Sequence, residues 1–331
     1  VLNPFSHRSA TMRSVYVSQE HLYVGGSDGT VYVYSVDGST RSLRNREKKR
    51  VGLELIYPLE TELKSGDDVV GAMAIAQERT EMSRLFVTSW SGTVYVWKIP
   101  KEDLEYQLIH EIRHHSRRIN DVLITRAHFL TCSDDGTIRY YGLCHGDQYE
   151  KALLTGHQDD IVSVSFSPTD EATLVSLARV SRQEKAAFDL FVWDAHAATK
   201  LAAATGQGSA QDARWSSDGF YIAVACQGRC EIYSPKAMLQ KTLKLDGDAS
   251  ACCFSPTNHN GDNQFVVCAV GNHIVAKAIT DNYTPPTFEG SHPEKVNDVH
   301  WACGFVATAC DDGSVVLFDE KSGARLAYIE A

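Results

Sequence analysis

The sequence predicts an all-β chain in which one four-stranded unit is repeated seven times around an axis. Three observations predict it. A tight polar turn followed by a short apolar strand recurs seven times, and in most copies the strand ends on an aromatic residue. A second apolar strand pattern recurs in step with it, always earlier in the unit. No window shows a helical period over three turns, so nothing competes with the strand reading.

The elements follow in order within each unit. First strands are six-residue segments that begin and end apolar: Met12–Val17, Val70–Ile75, Ile119–Ile124, Ile161–Phe166, Ala210–Trp215, Ala249–Phe254 and Val296–Trp301. Second strands are the apolar runs Leu22–Val24, Leu85–Val87, Phe129–Leu130, Leu174–Leu177, Tyr221–Ala225, Phe265–Ala269 and Phe305–Ala309. Third strands carry the clearest repeat: GTVYVY at Gly29–Tyr34, GTVYVW at Gly92–Trp97, GTIRYY at Gly136–Tyr141, then DLFVW, RCEIY, HIVAK and SVVLF. Anchored on Val31, Val94, Ile138, Leu190, Cys230, Ile274 and Val315, their spacings are 63, 44, 52, 40, 44 and 41. A weaker fourth run closes each unit, as at Leu243–Leu245 and Leu326–Ile329. Turn residues separate the strands. Ser167-Pro168, Ser255-Pro256 and Ser217-Asp218-Gly219 follow first strands, and Asp28-Gly29, Asp135-Gly136 and Asp312-Gly313 lead into third strands. A period near 40–45 residues with four strands per unit describes a seven-bladed β-propeller of four-stranded antiparallel blades. The expected blades of this single domain, 1–331, are residues 12–64, 65–114, 115–156, 157–207, 208–246, 247–291 and 292–331.

The best copy reads Gly156-His157, Ile161–Phe166, Ser167-Pro168 and Trp193-Asp194, and His115, His157 and His292 each stand four residues before a first strand. In these features the chain resembles the WD-repeat β-propellers over residues 12 to 329. The resemblance implies a hydrogen-bonded set of His, Ser or Thr, turn Asp and Trp inside a blade. Carried over, blade three would use His115, Thr131, Asp135 and Tyr141, and blade four His157, Ser176 and Trp193. Asp189 stands four residues before its aromatic, where Asp135 and Asp312 stand six before theirs, so blade four departs from the pattern. Blade seven would use His292, Thr308 and Asp312, although Phe318 offers no hydrogen-bonding group, and the other four blades lack the His. These roles are structural, since an unpaired buried polar group costs about 1–3 kcal/mol. The ring is expected to close with Ala324–Ile329 as the last fourth strand and Val1–Ala10 over the seam.

Composition narrows the function. Lys+Arg 32 against Asp+Glu 42 gives a net charge of −10, which disfavours nucleic acid as a partner. No apolar run reaches the roughly 18 residues of a membrane-spanning helix, so no membrane insertion is expected. Nine cysteines spread from Cys132 to Cys310, with no secretory signal in the sequence, point to free thiols in a reducing compartment. A cytoplasmic location is expected, with a nuclear one also open. The sequon Asn282-Tyr283-Thr284 is then a chance match, and the start at Val1 suggests an excised domain.

Motifs for chemistry are scarce. Gly25-Gly26-Ser27-Asp28-Gly29 matches a nucleophile elbow but lies between two strands of a hairpin, so it reads as a tight turn. Cys226, Cys230, Cys252 and Cys253 read as small strand residues, and His114-His115 as a structural slot rather than a metal pair. The sequence carries no phosphate-cradling loop, H-E-x-x-H or dinucleotide fingerprint, and no cofactor, metal or catalytic residue is expected.

Two basic clusters remain. Arg44, Arg46, Lys48, Lys49 and Arg50, with Arg41 before them, form a solvated loop that could also bind anions, direct nuclear import or dock a partner. The second lies at the entrance to blade three, on what the family resemblance makes the top face. There Arg117 and Arg118 neighbour Trp90, a turn residue with little to bury itself against. Arg182, Lys185 and Lys295 are expected on the same face, the first two in an insertion at 180–188. Exposed Trp and Arg are enriched at binding hot spots. The reading is a non-enzymatic scaffold or adaptor that presents its faces to proteins or peptides as a subunit of a hetero-complex. An alternative is a peptide- or substrate-recognition subunit of the ubiquitin-ligase receptor type, although His196 stands where such family members often carry Arg. A propeller hydrolase or lyase is the third reading.

Overall fold

The computed structural model describes residues 12–17, 21–35, 59–66, 68–76, 83–99, 105–125, 127–144, 147–182, 185–256, 265–280, 283–302 and 304–330. Their strands form seven antiparallel sheets, each made of consecutive strands, and the described residues contain no helix. Blade one holds β1 (Met12–Val17), β2 (His21–Gly26), β3 (Thr30–Ser35) and β4 (Leu59–Lys64). Blade two holds β5 (Val70–Ala76), β6 (Arg84–Ser89), β7 (Val94–Lys98) and β8 (Gln107–Ile112). Blade three holds β9 (Ile119–Ile124), β10 (His128–Ser133), β11 (Ile138–Cys144) and β12 (Asp147–Leu154). Blade four holds β13 (Ile161–Phe166), β14 (Thr173–Arg182), β15 (Lys185–Asp194) and β16 (Thr199–Gln207). Blade five holds β17 (Ala210–Trp215), β18 (Ile222–Cys226), β19 (Arg229–Tyr233) and β20 (Leu239–Lys244). Blade six holds β21 (Ala249–Phe254), β22 (Phe265–Val270) and β23 (His273–Ala278). Blade seven holds β24 (Val296–Ala302), β25 (Phe305–Cys310), β26 (Ser314–Asp319) and β27 (Arg325–Glu330).

The first strand of each blade lines the axis. Each packs against the first strand of the next blade, and β24 packs against β1 to close the ring. The last blade takes its fourth strand, β27, from the C-terminal end, and residues 1–10 lie outside the described residues. Apolar side chains fill the gaps between blades rather than one central core. One such layer joins Leu130 and Tyr140 of blade three to Ile161, Leu174 and Trp193 of blade four, and another joins Leu177 and Phe188 of blade four to Ala213 and Val224 of blade five. Alternating strand residues therefore bury on both faces, which is why the second strands read as continuous apolar runs.

Every first strand breaks register with its neighbour at its second residue, as between Ile161 and Ser163 or between Val296 and Asp298. Such a bulge leaves one residue out of the ladder and re-aims its side chain. In three blades that residue meets the next blade. Asn120 Nδ2 donates to the Ile161 carbonyl (2.8 Å), Ser250 Oγ donates to the Val296 carbonyl (2.6 Å), and Gly71 sits so close to the Ile119 carbonyl that a Cβ would lie 2.6 Å from it.

Two elements differ in detail from the sequence reading. The insertion at 180–188 is no separate loop: β14 and β15 stay paired out to Arg182 opposite Lys185, and β16 lengthens beside them. Blade six has three paired strands among the described residues. From Tyr283 the described chain runs without strand structure through Pro285-Pro286, which offer no N–H to a ladder. It crosses instead to blade seven, where the Phe288 ring meets Phe318 (5.6 Å) and the Glu289 amide donates to the Gly323 carbonyl (3.0 Å).

Candidate interaction site at the channel mouth

The first strands enclose a central channel of about 650 Å³. At the end where these strands begin, Trp90, Arg118 and Lys295 stand around its mouth. Trp90 sits in the β6–β7 turn, anchored by its amide to the Val69 carbonyl (3.1 Å). The Arg118 guanidinium, arriving from the entrance to blade three, lies over the indole with Cζ 3.9 Å from the ring centroid. By sequence this Trp had little to bury itself against; a neighbouring blade supplies the partner. Cation–π contacts of this kind contribute about 0.5–1 kcal/mol when exposed and more when desolvated.

The other candidates divide. Arg117 is outside the channel lining and faces Asp160 across 4.0 Å at an exposed surface, an ion pair contributing at most about 1 kcal/mol. Lys295 is exposed at the mouth, at the entrance to blade seven, with blade one between it and the blade of Trp90. Arg182 and Lys185 end the β14–β15 hairpin on the same face, their backbones paired. Residues 44–50, with Arg44, Arg46, Lys48, Lys49 and Arg50, lie outside the described residues.

Deeper in the channel the chemistry turns acidic. The third residue of three first strands is an aspartate: Asp121, Asp212 and Asp298. Arg214 joins two of them, with Nη1 3.2 Å from Asp121 Oδ2 and Nε 3.0 Å from Asp212 Oδ1. Asp212 also accepts from Ser163 Oγ (2.7 Å) and from the Cys252 amide (3.0 Å), so one carboxylate ties blades four, five and six. Burial raises Asp121 to about 6, against the pull of Arg214, and raises Asp298 likewise, while burial lowers the adjacent His300. Nothing in the sequence singled out these aspartates beyond their shared position in the first strand.

The within-blade sets are as follows. In blade three, His115 bonds Asp135 Oδ2 through Nδ1 (2.9 Å) and Thr131 Oγ1 through Nε2 (2.8 Å). Tyr141 does not join them; its hydroxyl meets His114 Nδ1 (3.2 Å). In blade four, Ser176 Oγ takes the Trp193 Nε1–H (2.7 Å) and bonds His157 Nε2 (2.6 Å). Asp189 lies in β15 and accepts from Thr205 Oγ1 (2.8 Å), away from this set. In blade seven, His292 bonds Thr308 Oγ1 (2.7 Å) and Ser314 Oγ (2.9 Å), and Asp312 accepts from the Ser314 amide (2.8 Å). Sequence reading missed one equivalent: in blade two, Trp97 Nε1 donates to Ser65 Oγ (3.1 Å), with Ser at the blade entrance where other blades place His. The clue was an aromatic at the end of the third strand with no His to serve it.

Seven radial sheets, three of them pinned by a His from the blade entrance, define a propeller with WD-type blades. Comparison with known proteins agrees. Residues 106–141 match the family model for the WD domain, G-beta repeat. The nuclear distribution protein PAC1 of Candida albicans is 33% identical over 94 residues, 27% of this chain and 18% of that protein, and its counterpart in Candida dubliniensis matches to the same extent. The match thus spans under a fifth of the curated relatives' length. Among solved structures, the Saccharomyces cerevisiae Sqt1 superposes with a TM-score of 0.69 at 12% identity, covering 98% of this chain and 86% of that one. The computationally designed Ika8 protein superposes with a TM-score of 0.68 at 16% identity, covering 97% and 87%. The chain is a seven-bladed β-propeller that carries a WD repeat at residues 106–141. Proteins of this family serve in general as protein-interaction scaffolds.

Proposed function

We propose that this chain is a non-enzymatic scaffold or adaptor subunit that grips a protein or peptide partner at the top mouth of its channel. The observation that carries the reading is the Trp90–Arg118 pair, an aromatic and a guanidinium held face to face at that mouth. Lys295 extends the basic rim, and the tip of the β14–β15 hairpin, with Arg182 and Lys185, adds to the same face. Seven blades braced by their own layers hold these turns in place while Lys295 at the mouth stays exposed to a partner. Membership of a hetero-complex and a cytoplasmic or nuclear location belong to the same proposal, and the partial likeness to a nuclear distribution protein is compatible with that location. The ubiquitin-ligase receptor reading gains no support from His196, whose Nε2 is held by the Tyr140 hydroxyl (3.0 Å).

Affinity purification from the native cell with wild type, Trp90→Ala and Arg118→Ala tests this. The expected outcome is one set of protein partners lost from both variants, with thermal unfolding little changed. Retention of every partner by both variants would remove the top mouth as the docking site.

A further inference from the structure

Blades three and seven carry the same hydrogen-bonding motif at the same spacing, with His115, Thr131 and Asp135 answering to His292, Thr308 and Asp312. They differ in two respects. The residue that ends the second strand, two before the Asp, is Ser133 in blade three and Cys310 in blade seven. The partner of the imidazole Nδ1 also differs. In blade three, Nδ1 faces the Asp135 carboxylate, which can only accept, so Nδ1 carries the proton and has no lone pair to offer. In blade seven, Nδ1 of His292 meets the Ser314 hydroxyl (2.9 Å), which can donate, so Nδ1 can keep its lone pair with the ring proton on Nε2 toward Thr308 (2.7 Å). A ring nitrogen of His292, the Cys310 sulfur and a carboxylate oxygen of Asp312 all lie within 4.8 Å of one another.

We propose that His292 Nδ1, Cys310 Sγ and Asp312 form a zinc site at the top of blade seven. A nitrogen, a sulfur and a carboxylate oxygen are the donor types zinc takes, and a fourth position would be left to solvent through the exposed Asp312. The Nε2–H to Thr308 bond is the outer hydrogen bond that metal-binding imidazoles commonly make to fix ring and tautomer. On binding, the Cys310 thiol gives its proton to solvent and the Ser314 hydroxyl releases Nδ1. Burial raises the Cys310 thiol to about 11, so it is the metal that must displace this proton. Bound zinc would pin the entrance of blade seven to its β25–β26 turn, in the blade whose β24 closes the ring on β1.

The test uses tag-free, chelator-stripped protein titrated with cobalt and then with zinc. One equivalent of cobalt should give thiolate-to-metal charge-transfer absorption with tetrahedral visible bands, and zinc should displace it and raise the unfolding temperature. Cys310→Ser, which installs the residue blade three uses, should abolish the charge-transfer band. Asp312→Asn should weaken zinc by about tenfold or more and serves on its own if the first variant fails to fold. Absence of the band in wild type, a band that survives Cys310→Ser, or unchanged zinc affinity in Asp312→Asn would each overturn the proposal.

Discussion

His157 is buried, its ring stacked 4.1 Å from Phe191 and its Nε2 on the Ser176 hydroxyl that also serves Trp193. Burial, helped by Lys200, lowers its pKa from 6.5 to about 3. The unfolded chain therefore binds a proton at pH values where the folded blade refuses it. The stability this neutral ring contributes is complete above pH 6.5 and is lost progressively as the pH falls from there toward 3. His115 and His292 are lowered by burial too, so the three act in the same direction. Thermal unfolding measured from pH 8 to pH 4 should show the melting temperature dropping on the acid side. His157→Gln should flatten that drop whatever it does to stability at neutral pH; an equal slope in both proteins would mean that His157 is not the group titrating. The residues of this set were legible because the family pattern places a His four positions before a strand. Which ring nitrogen meets which partner was not, because that depends on side chains sixteen or more positions away.

At the scale of the element, the turn glycines do two things at once. Gly92 has φ +84°, and an added Cβ would lie 2.7 Å from the His115 carbonyl and 2.8 Å from that of Arg117, both in the loop entering the next blade. The turn of one blade is thus a packing surface for its neighbour. Gly271 has φ +56° with nothing within 4 Å of the added carbon. Both alanine variants carry the left-handed backbone cost of about 1–2 kcal/mol, but Gly92→Ala adds a clash between backbones that cannot rotate away. Urea unfolding should find Gly92→Ala less stable than Gly271→Ala by about 1 kcal/mol or more; equal losses would show that the blade interface yields. The Gly itself was readable as a turn residue, since Asp-Gly and Ser-Gly before an alternating strand leave few alternatives. Its second duty was not, because the contacting carbonyls belong to another blade.

For the whole molecule, Arg214 is a side chain that joins three blades. From blade five it reaches Asp121 in blade three, with its Nη1 also 3.4 Å from the Val164 carbonyl of blade four between them. Removing one partner of a buried ion pair costs about 3–5 kcal/mol, and a guanidinium about a third open to the channel puts Arg214→Met near the lower end. The pH dependence has a definite sign. Asp121 already has a raised pKa of about 6, and without the guanidinium that lowers it the carboxyl rises further. A carboxyl raised in the fold stabilises it when protonated and loses that contribution as the pH climbs. Arg214→Met should therefore be most destabilised above pH 7 and recover toward pH 5, as followed by thermal unfolding at both. A deficit independent of pH would mean that the carboxylates are rehydrated in the variant and the ion pair is not what holds these blades.

The strand content, the seven repeats and the blade order were all determined by the sequence alone, because each strand is short, its period of two is visible locally, and its turns carry Gly, Pro, Asp and Ser at the positions the backbone requires. The His-centred sets came with the repeat. The tertiary structure decided everything that passes between blades: Arg118 over Trp90, Arg214 between two aspartates, Phe288 crossing to Phe318, and the different partners that Nδ1 finds in two copies of one motif. These contacts join residues 28 to 93 positions apart or turn on how a neighbouring strand aims a hydroxyl, and no local pattern of apolar and polar residues encodes either.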